Sequence, residues 1–203
     1  MKRGLGILCI LLLFLAGCGV EPEKRAYPLA LSLDLKDGMY EVRYAMARLS
    51  AVTGQGKEPE SDSGESQAFR GTSLQEVRQA YDRSQQYYLD TGHVQAVLLG
   101  EALQEDREKL AGALKEMEEN RMLGSGCYVF SSPDPGALME LDGTEVESLG
   151  EYLVGIYENR PSEQGEKGVT LQEVYSAWYG DGSLPALPRA FLGENGLPVV
   201  ENP

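Results

Sequence analysis

"YPLALSLDLKDGMYEVRYAMARL", residues 27–49, has the pattern of two strands joined by a tight turn. Every second residue of its first half is a leucine, which places these leucines on one face of a strand: Leu29, Leu31, Leu33 and Leu35. Asp37-Gly38 is a residue pair that favours a two-residue hairpin turn. The second half repeats the alternation with Tyr40, Val42, Tyr44 and Met46. We therefore predict an antiparallel β-hairpin.

Downstream of the hairpin, helical and strand patterns follow one another. The Gly-, Ser- and Glu-rich stretch 53–71 predicts a solvated loop. Ser73 with Glu76 predicts a capping box that opens a helix, and Thr170 with Glu173 predicts a second one. The other predicted elements are strands at 93–100 and 127–132, helices at 102–119, 135–140, 144–158 and 170–178, and an extended tail at 184–203. This order predicts an α+β fold, in which one domain has a mixed β-sheet with an N-terminal β-hairpin and helices packed against the sheet.

The residues ahead of the hairpin have the composition of a lipoprotein signal. Lys2 and Arg3 precede an apolar run, Leu5 to Ala16, that is shorter than the roughly 20 residues of a membrane span. Leu15-Ala16-Gly17-Cys18 matches the lipobox of bacterial lipoproteins, which implies cleavage before Cys18 and acylation of its thiol. The alternative is an ordinary secretory signal that contains a cysteine by chance. We predict a signal peptide at 1–17, a tether at 18–27 and one domain at 28–203.

The composition excludes several classes of function. The net charge of −14 repels phosphate backbones, so we expect no nucleic-acid partner. The sequence has three cysteines and a single histidine, His93. These residues are too few for a disulfide framework, a zinc or haem site, or Cys–His or Ser–His catalysis. We therefore expect no cofactor, no metal and no enzymatic activity.

Three motifs in order resemble the C-subunit lipoproteins of spore nutrient-germinant receptors. The first is the lipobox, followed by a short tether and "LALSLDLKDGMYEVRY". The second is "QQYYLDTGHVQAVLLGEAL", in which the match is carried by Gly92, His93, Gly100 and Glu101. The third is "VTLQEVYSAWYGDGSLPALPRAFL" near the end of the chain. The resembling region is the family's N-terminal domain, and family members usually continue into further domains.

This resemblance implies a non-catalytic subunit that is lipid-anchored on the outer face of the spore's inner membrane. Its partners would be the two integral membrane subunits of the receptor and the lipid bilayer, which it would enter through acylated Cys18. The complex converts the presence of a small nutrient into germination. A different class of function is also open, namely a solute-binding lipoprotein that feeds a transporter.

Three aromatic residues are the candidates for partner contact. Tyr175, Trp178 and Tyr179 have the spacing that places them on one helix face. Such a face either packs into the core or docks a partner, and both interpretations stay open at this point.

Three further residues have a functional and a structural interpretation. His93 is either a proton-sensing or partner-contacting group, or a histidine at a strand entry beside a Gly92 of unusual φ. Glu101 is expected in the first turn of a helix, where its charge favours the helix dipole. Cys127 is expected to be a buried and unreactive thiol at the start of a strand.

Overall fold

A computed structural model describes residues 20–47, 66–159 and 167–203. The strands of these ranges are β1 (Arg25–Ala26), β2 (Pro28–Lys36), β3 (Met39–Met46), β4 (Phe69–Gly71), β5 (Tyr88–Leu89), β6 (Ala96–Gly100), β7 (Tyr128–Ser132), β8 (Val169–Thr170), β9 (Arg189–Leu192) and β10 (Pro198–Glu201). The α-helices are α1 (Leu74–Ser84), α2 (Glu101–Glu105), α3 (Arg107–Glu119), α4 (Pro135–Met139), α5 (Leu149–Glu158) and α6 (Leu171–Asp181).

The predicted hairpin is confirmed as strands β2 and β3, which pair antiparallel with Asp34 opposite Glu41. Its turn residues both have positive φ angles, 54° at Asp37 and 76° at Gly38. A turn with two left-handed residues has a twist that matches the twist of the flanking strands. The local sequence therefore specifies both the position and the type of this turn.

The hairpin lies inside a larger mixed sheet, as predicted. The strand order is β10-β9-β7-β6-β2-β3-β4, and β8 pairs with the start of β7. The four central strands, β9, β7, β6 and β2, are parallel to one another. Strands β10, β8, β3 and β4 each pair antiparallel with their partners. Strands β1 and β5 form a separate two-stranded parallel sheet at the amino end of β2. The α+β fold with helices against a mixed sheet is confirmed.

The helices cover both faces of the sheet. One core contains the inward residues of α1, α3 and α6, and the other contains those of α4 and α5. Strand β6 contributes Val97 and Leu99 to the first core and Ala96 and Leu98 to the second, so it is buried along its whole length. Burial on both faces explains why this strand is a continuous apolar run rather than an alternating one.

The predicted leucine face of β2 is correct for three of its four residues. Leu31 and Leu33 are in the first core and Leu35 packs against it. Leu29 is different, because the register shifts between Pro28 and Ala30. Its Cβ comes close to Gly150 of α5, on the opposite side of the sheet. The bulge adds one residue and so reverses the side on which Leu29 lies.

The predicted helix at 102–119 is two helices, α2 and α3. The chain leaves helical geometry at Asp106, whose side chain accepts a hydrogen bond from the backbone N–H of Lys109 at 3.0 Å. Asp106 therefore caps a new helix in the middle of the periodic stretch. The predicted helix at 144–158 likewise begins later, at Leu149, because Ser148 caps it.

The predicted loop and tail both contain strands. Phe69–Gly71 of the loop pairs with β3 as strand β4, while 48–65 lies outside the described residues. The tail forms the antiparallel pair β9 and β10. In both places pairing with a neighbouring strand satisfies backbone groups of a segment that has little strand character of its own.

One of the two predicted capping boxes is confirmed. Thr170 and Glu173 make both reciprocal hydrogen bonds at the start of α6. Ser73 caps α1 through the backbone N–H of Glu76 at 3.2 Å, but the Glu76 carboxylate accepts hydrogen bonds from Thr72 instead of from Ser73. Helix α1 therefore starts where predicted, but the Glu76 carboxylate pairs with Thr72 rather than with Ser73.

Candidate functional site

Helix α6 presents the three aromatic residues that the sequence predicts as a shared face. Leu171 and Val174 are buried and fix one side of the helix in the core. Tyr175 and Trp178 pack against that core while remaining partly exposed. Tyr179 is 55% exposed. Tyr175, Trp178 and Tyr179, which we call the α6 aromatic patch, thus change from partly buried to exposed along the helix.

The two tyrosines of the patch are held in place by each other and by an acidic neighbour. Their rings stack with centroids 6.3 Å apart. A hydrogen bond to Glu118 raises the pKa of Tyr179 to about 12, and burial raises the pKa of Tyr175. Both hydroxyls therefore stay protonated at neutral pH, and that of Tyr179 donates to the Glu118 carboxylate.

Trp178 lies beside a small cavity. The guanidinium carbon of Arg107 lies 5.1 Å from the centroid of the Trp178 ring, which is a cation–π distance. The cavity has a volume of about 190 Å³ and is lined by Gln104, Arg107, Leu110, Trp178, Ser183 and Leu184. Tryptophan and arginine are enriched at protein interfaces, where such side chains often lie beside a pocket.

The predicted lipid-attachment residue, Cys18, lies outside the described residues, but the chain that follows it is held against the domain. The carbonyl of Val20 accepts a hydrogen bond from Arg25 Nε at 2.9 Å. The guanidinium of Arg25 makes an ion pair with Asp90 at 2.8 Å. Strand β1 pairs with β5, with Arg25 beside Tyr88. The segment from Val20 onward is therefore fixed on the body.

A wide groove opens next to this N-terminal segment. Its volume is about 660 Å³, and its walls are the start of α1, strand β5 and the residues that follow α3. Arg78 lies over the ring of Tyr88, with its guanidinium carbon 4.9 Å from the centroid. Two charged groups of the walls have partners, since Arg78 pairs with Asp82 and Asp90 pairs with Arg25. Sequence reasoning missed this groove, although the adjacent pair Tyr87-Tyr88 marks one of its walls.

His93 and Gly92 lie in a short 3-10 turn, Thr91–His93, ahead of β6. The imidazole of His93 is exposed and its ring meets that of Tyr27 edge-on, with centroids 5.0 Å apart. The prediction of an unusual φ angle at Gly92 is wrong, because this residue is not among those with positive φ. Its N–H donates to the side chain of Asp90 at 3.2 Å.

Glu101 and Cys127 have the structural roles that the sequence predicts. Glu101 is in the first turn of α2, and it also forms an ion pair with Arg189 of β9 at 3.1 Å. Cys127 is buried, and burial raises the pKa of its thiol to about 12. Such a thiol is almost entirely protonated at neutral pH and is therefore a poor nucleophile.

Two classes of site are absent from the described part of the chain. Within residues 20–47, 66–159 and 167–203, no group of three or more His, Cys, Asp or Glu side chains has an arrangement that could hold a metal ion. None of the helices in these ranges combines the length and the apolar character that a bilayer crossing requires.

The comparisons with known proteins identify a family. A family model described as the spore germination protein N-terminal domain matches residues 19–191, which is most of the chain. No curated protein and no solved structure is significantly similar to the chain. The matched residues contain β2 and β3, the segment from Gly92 to Glu101, and helix α6, which belong to the three motifs that resemble germinant-receptor C subunits, whereas the lipobox precedes the match. The chain belongs to the spore germination protein family, matching the N-terminal domain of the germinant-receptor C subunits.

Proposed function

We propose that the chain acts in germination as a membrane-anchored, non-catalytic subunit of a nutrient-germinant receptor complex. The observation that carries this proposal is the lipobox ending at Cys18, which precedes by two residues a segment that is held on the family domain. Family membership supports the role in germination. The lipobox supports attachment to the outer face of the spore's inner membrane.

Acylation of Cys18 would hold the domain firmly on the membrane. Each buried methylene contributes about 0.8 kcal/mol, and two acyl chains anchor stably where one does not. Removal of the signal also removes Lys2 and Arg3, which leaves an acidic body. Anionic lipids repel an acidic body, so electrostatics cannot replace the acyl chains.

The α6 aromatic patch is the surface that we assign to the integral membrane subunits. Exposed tyrosine and tryptophan side chains contribute a large contact area and lose little conformational entropy when they bind. Tyr179 is exposed, and its packing against Tyr175 gives it a preferred orientation. Protein contacts, rather than substrate chemistry, are what this arrangement favours.

Crosslinking and pull-down of the tagged protein from spore inner membranes tests this proposal. We expect to recover two polytopic membrane subunits together with the tagged chain. Cys18→Ser should abolish lipid labelling and release the protein from the membrane or leave it unprocessed. Cys127→Ser is the matched control and should label as the wild type does. Unchanged labelling of the Cys18→Ser variant, or recovery of transporter subunits alone, would contradict the proposal.

The groove beside Tyr88 favours one second candidate, a solute-binding lipoprotein of a transporter. Its volume of about 660 Å³ would admit an amino acid or a sugar. A ligand that binds only the folded state raises the melting temperature. A panel of nutrients should therefore give a concentration-dependent shift if this second candidate is correct, and Arg78→Ala should abolish the shift.

A further inference from the structure

We infer that the surface around Tyr87 and Tyr88 lies against the headgroups of the lipid bilayer, which rests on the proposed acylation of Cys18. Six large apolar side chains of the described residues are exposed, and three of them are in this surface. Val20 is 39% exposed, Tyr87 45% and Tyr88 47%. We call the surface formed by Val20, Arg25, Tyr87 and Tyr88 the amino-edge face, because it lies at the amino ends of β2 and β6.

The length of chain between the anchor and the domain places this face at the membrane. Consecutive Cα atoms are 3.8 Å apart, so the Cα of Cys18 lies within about 8 Å of that of Val20. Val20 itself is held by its hydrogen bond from Arg25, and Arg25 is held by Asp90 and by the pairing with β5. Acyl chains on Cys18 must therefore enter the bilayer very close to the amino-edge face.

The exposed side chains fit the interface between lipid and water. A tyrosine has an apolar ring and a polar hydroxyl, and this residue is enriched where one end meets hydrocarbon and the other meets headgroups. Tyr87 and Tyr88 are adjacent in the chain and both are exposed beside the anchored segment. Exposed tyrosines beside a lipid anchor therefore fit a contact with the headgroups.

Ion pairs reduce the electrostatic repulsion between the amino-edge face and anionic lipids. The whole chain carries a net charge of −14, which anionic headgroups repel. Around the amino-edge face, basic and acidic side chains form three ion pairs: Lys24 with Glu21 at 2.7 Å, Arg25 with Asp90 at 2.8 Å and Arg78 with Asp82 at 3.1 Å. This surface can therefore approach the bilayer although the protein as a whole is acidic.

The orientation follows from the direction of β2. The strand starts at Pro28, separated from the end of β1 by one residue, and its nine residues extend about 30 Å at 3.3 Å per residue. The turn at Asp37-Gly38 is thus the end of the hairpin that points away from the lipid. Helix α6 starts beside the amino end of β7, and its Trp178 reaches Arg107, which follows the carboxyl end of β6. The helix therefore runs in the same direction as these strands, and the α6 aromatic patch faces parallel to the membrane plane rather than toward the lipid.

Depth-dependent quenching tests the orientation on the lipidated full chain. Gln86 and Lys36 are both exposed, and each is replaced by cysteine in a separate variant and labelled with a fluorophore. The buried thiol of Cys127 does not compete for the label. The proteins are inserted into vesicles of phosphatidylcholine and phosphatidylglycerol in equal amounts that contain a lipid with a nitroxide headgroup. We expect several-fold stronger quenching at Gln86→Cys than at Lys36→Cys.

The outcomes separate orientation from anchoring. Flotation of the protein with the vesicles, and its loss in Cys18→Ser, reports the anchor. Flotation with equal quenching at both positions overturns the orientation and leaves the anchor intact. Quenching at Gln86→Cys that disappears after membrane subunits are added also overturns it, because the face is then covered by protein.

A second pair of variants tests the tyrosines themselves. Replacing both Tyr87 and Tyr88 by serine should reduce the difference in quenching between the two labelled positions. Tyr152→Ser is the matched control, since Tyr152 is also an exposed tyrosine, at 37%, on helix α5. An unchanged difference in the double variant would show that the tyrosines do not contact lipid.

Discussion

Asp34 and Gly100 are 66 residues apart in the chain, and the carboxylate of Asp34 occupies the space where Gly100 has no side chain. A Cβ atom at position 100 would overlap this carboxylate. Gly100 precedes helix α2 and provides no side-chain cap, and Asp34 instead accepts hydrogen bonds from the backbone N–H groups of Leu35 and Leu103. The acidic end of β2 thus caps a helix that starts at the end of β6.

This contact predicts that Gly100→Ala destabilises the domain by about 2 kcal/mol or more, because the new methyl group displaces a half-buried carboxylate. Chemical denaturation measures the free energy of unfolding. Gly124→Ala is the matched control, since a Cβ there meets no atom within 4 Å. Combining Gly100→Ala with Asp34→Ser should recover part of the loss, and strict additivity of the two effects would contradict the overlap.

Asp34 and Asp90 should show opposite dependences of stability on pH. Burial raises the pKa of Asp34, so its contribution to stability is present below the unfolded pKa of about 3.9 and is lost as pH rises through the folded pKa. The hydrogen bond from Arg25 lowers the pKa of Asp90, so its contribution is present above about 3.9 and is lost as pH falls through the folded pKa.

Unfolding measured between pH 3 and pH 7 distinguishes the two residues. Relative to the wild type, Asp34→Asn should gain stability as the pH rises across this range, and Asp90→Asn should lose it. Parallel curves for the two variants would mean that at least one of the carboxylates lacks the environment described above.

A substitution in the α6 aromatic patch should weaken binding to the membrane subunits without changing the stability of the domain. Tyr179 is exposed, so Tyr179→Ser should change stability by less than about 0.5 kcal/mol while weakening capture of the membrane subunits about tenfold, the effect of a typical interface tyrosine. Tyr152→Ser is again the control for a surface tyrosine. Pull-down yield and melting temperature are measured on the same preparations. Normal capture by Tyr179→Ser would remove this residue from the proposed interface.

Cys127 should resist alkylation in the folded protein. Its thiol has a pKa of about 12 and little exposure, so iodoacetamide at pH 8 should modify it only after denaturant is added. Mass spectrometry of the intact protein detects the modification. Lys36→Cys provides an exposed thiol in the same protein for comparison, and equal labelling rates at the two positions would show that Cys127 is accessible.

The capping box of α6 should contribute a measurable part of the helix's stability. Thr170 donates to and accepts from Glu173, and these hydrogen bonds lower the pKa of the Glu173 carboxyl. Thr170→Ala should therefore cost about 1 kcal/mol in the free energy of unfolding. Ser176→Ala, in the exposed interior of the same helix, should cost much less, and similar costs for both would contradict a capping role.

Several features of the candidate surfaces could be predicted because they depend on residues close together in the chain. Tyr175, Trp178 and Tyr179 share a helix face for reasons of spacing alone. Their different burial could not be predicted, since it depends on how α6 approaches α3 and places Arg107 over Trp178. The amino-edge face was missed for the same reason, since only the pairing of β5 with β1 brings Tyr87 and Tyr88 beside the N-terminal segment.

The sequence by itself determined the elements whose signals are local: the β2–β3 hairpin with its Asp37-Gly38 turn and the Thr170 cap of α6. Backbone sterics, hydrogen bonds between near neighbours and side-chain periodicity act over a few residues, so a single stretch contains all the information needed. Only the tertiary structure decided the bulge that turns Leu29 to the other side, the strand at Phe69–Gly71 and the need for glycine at position 100. Each of these depends on a backbone or a carboxylate from a distant part of the chain, and packing at close range brings them together.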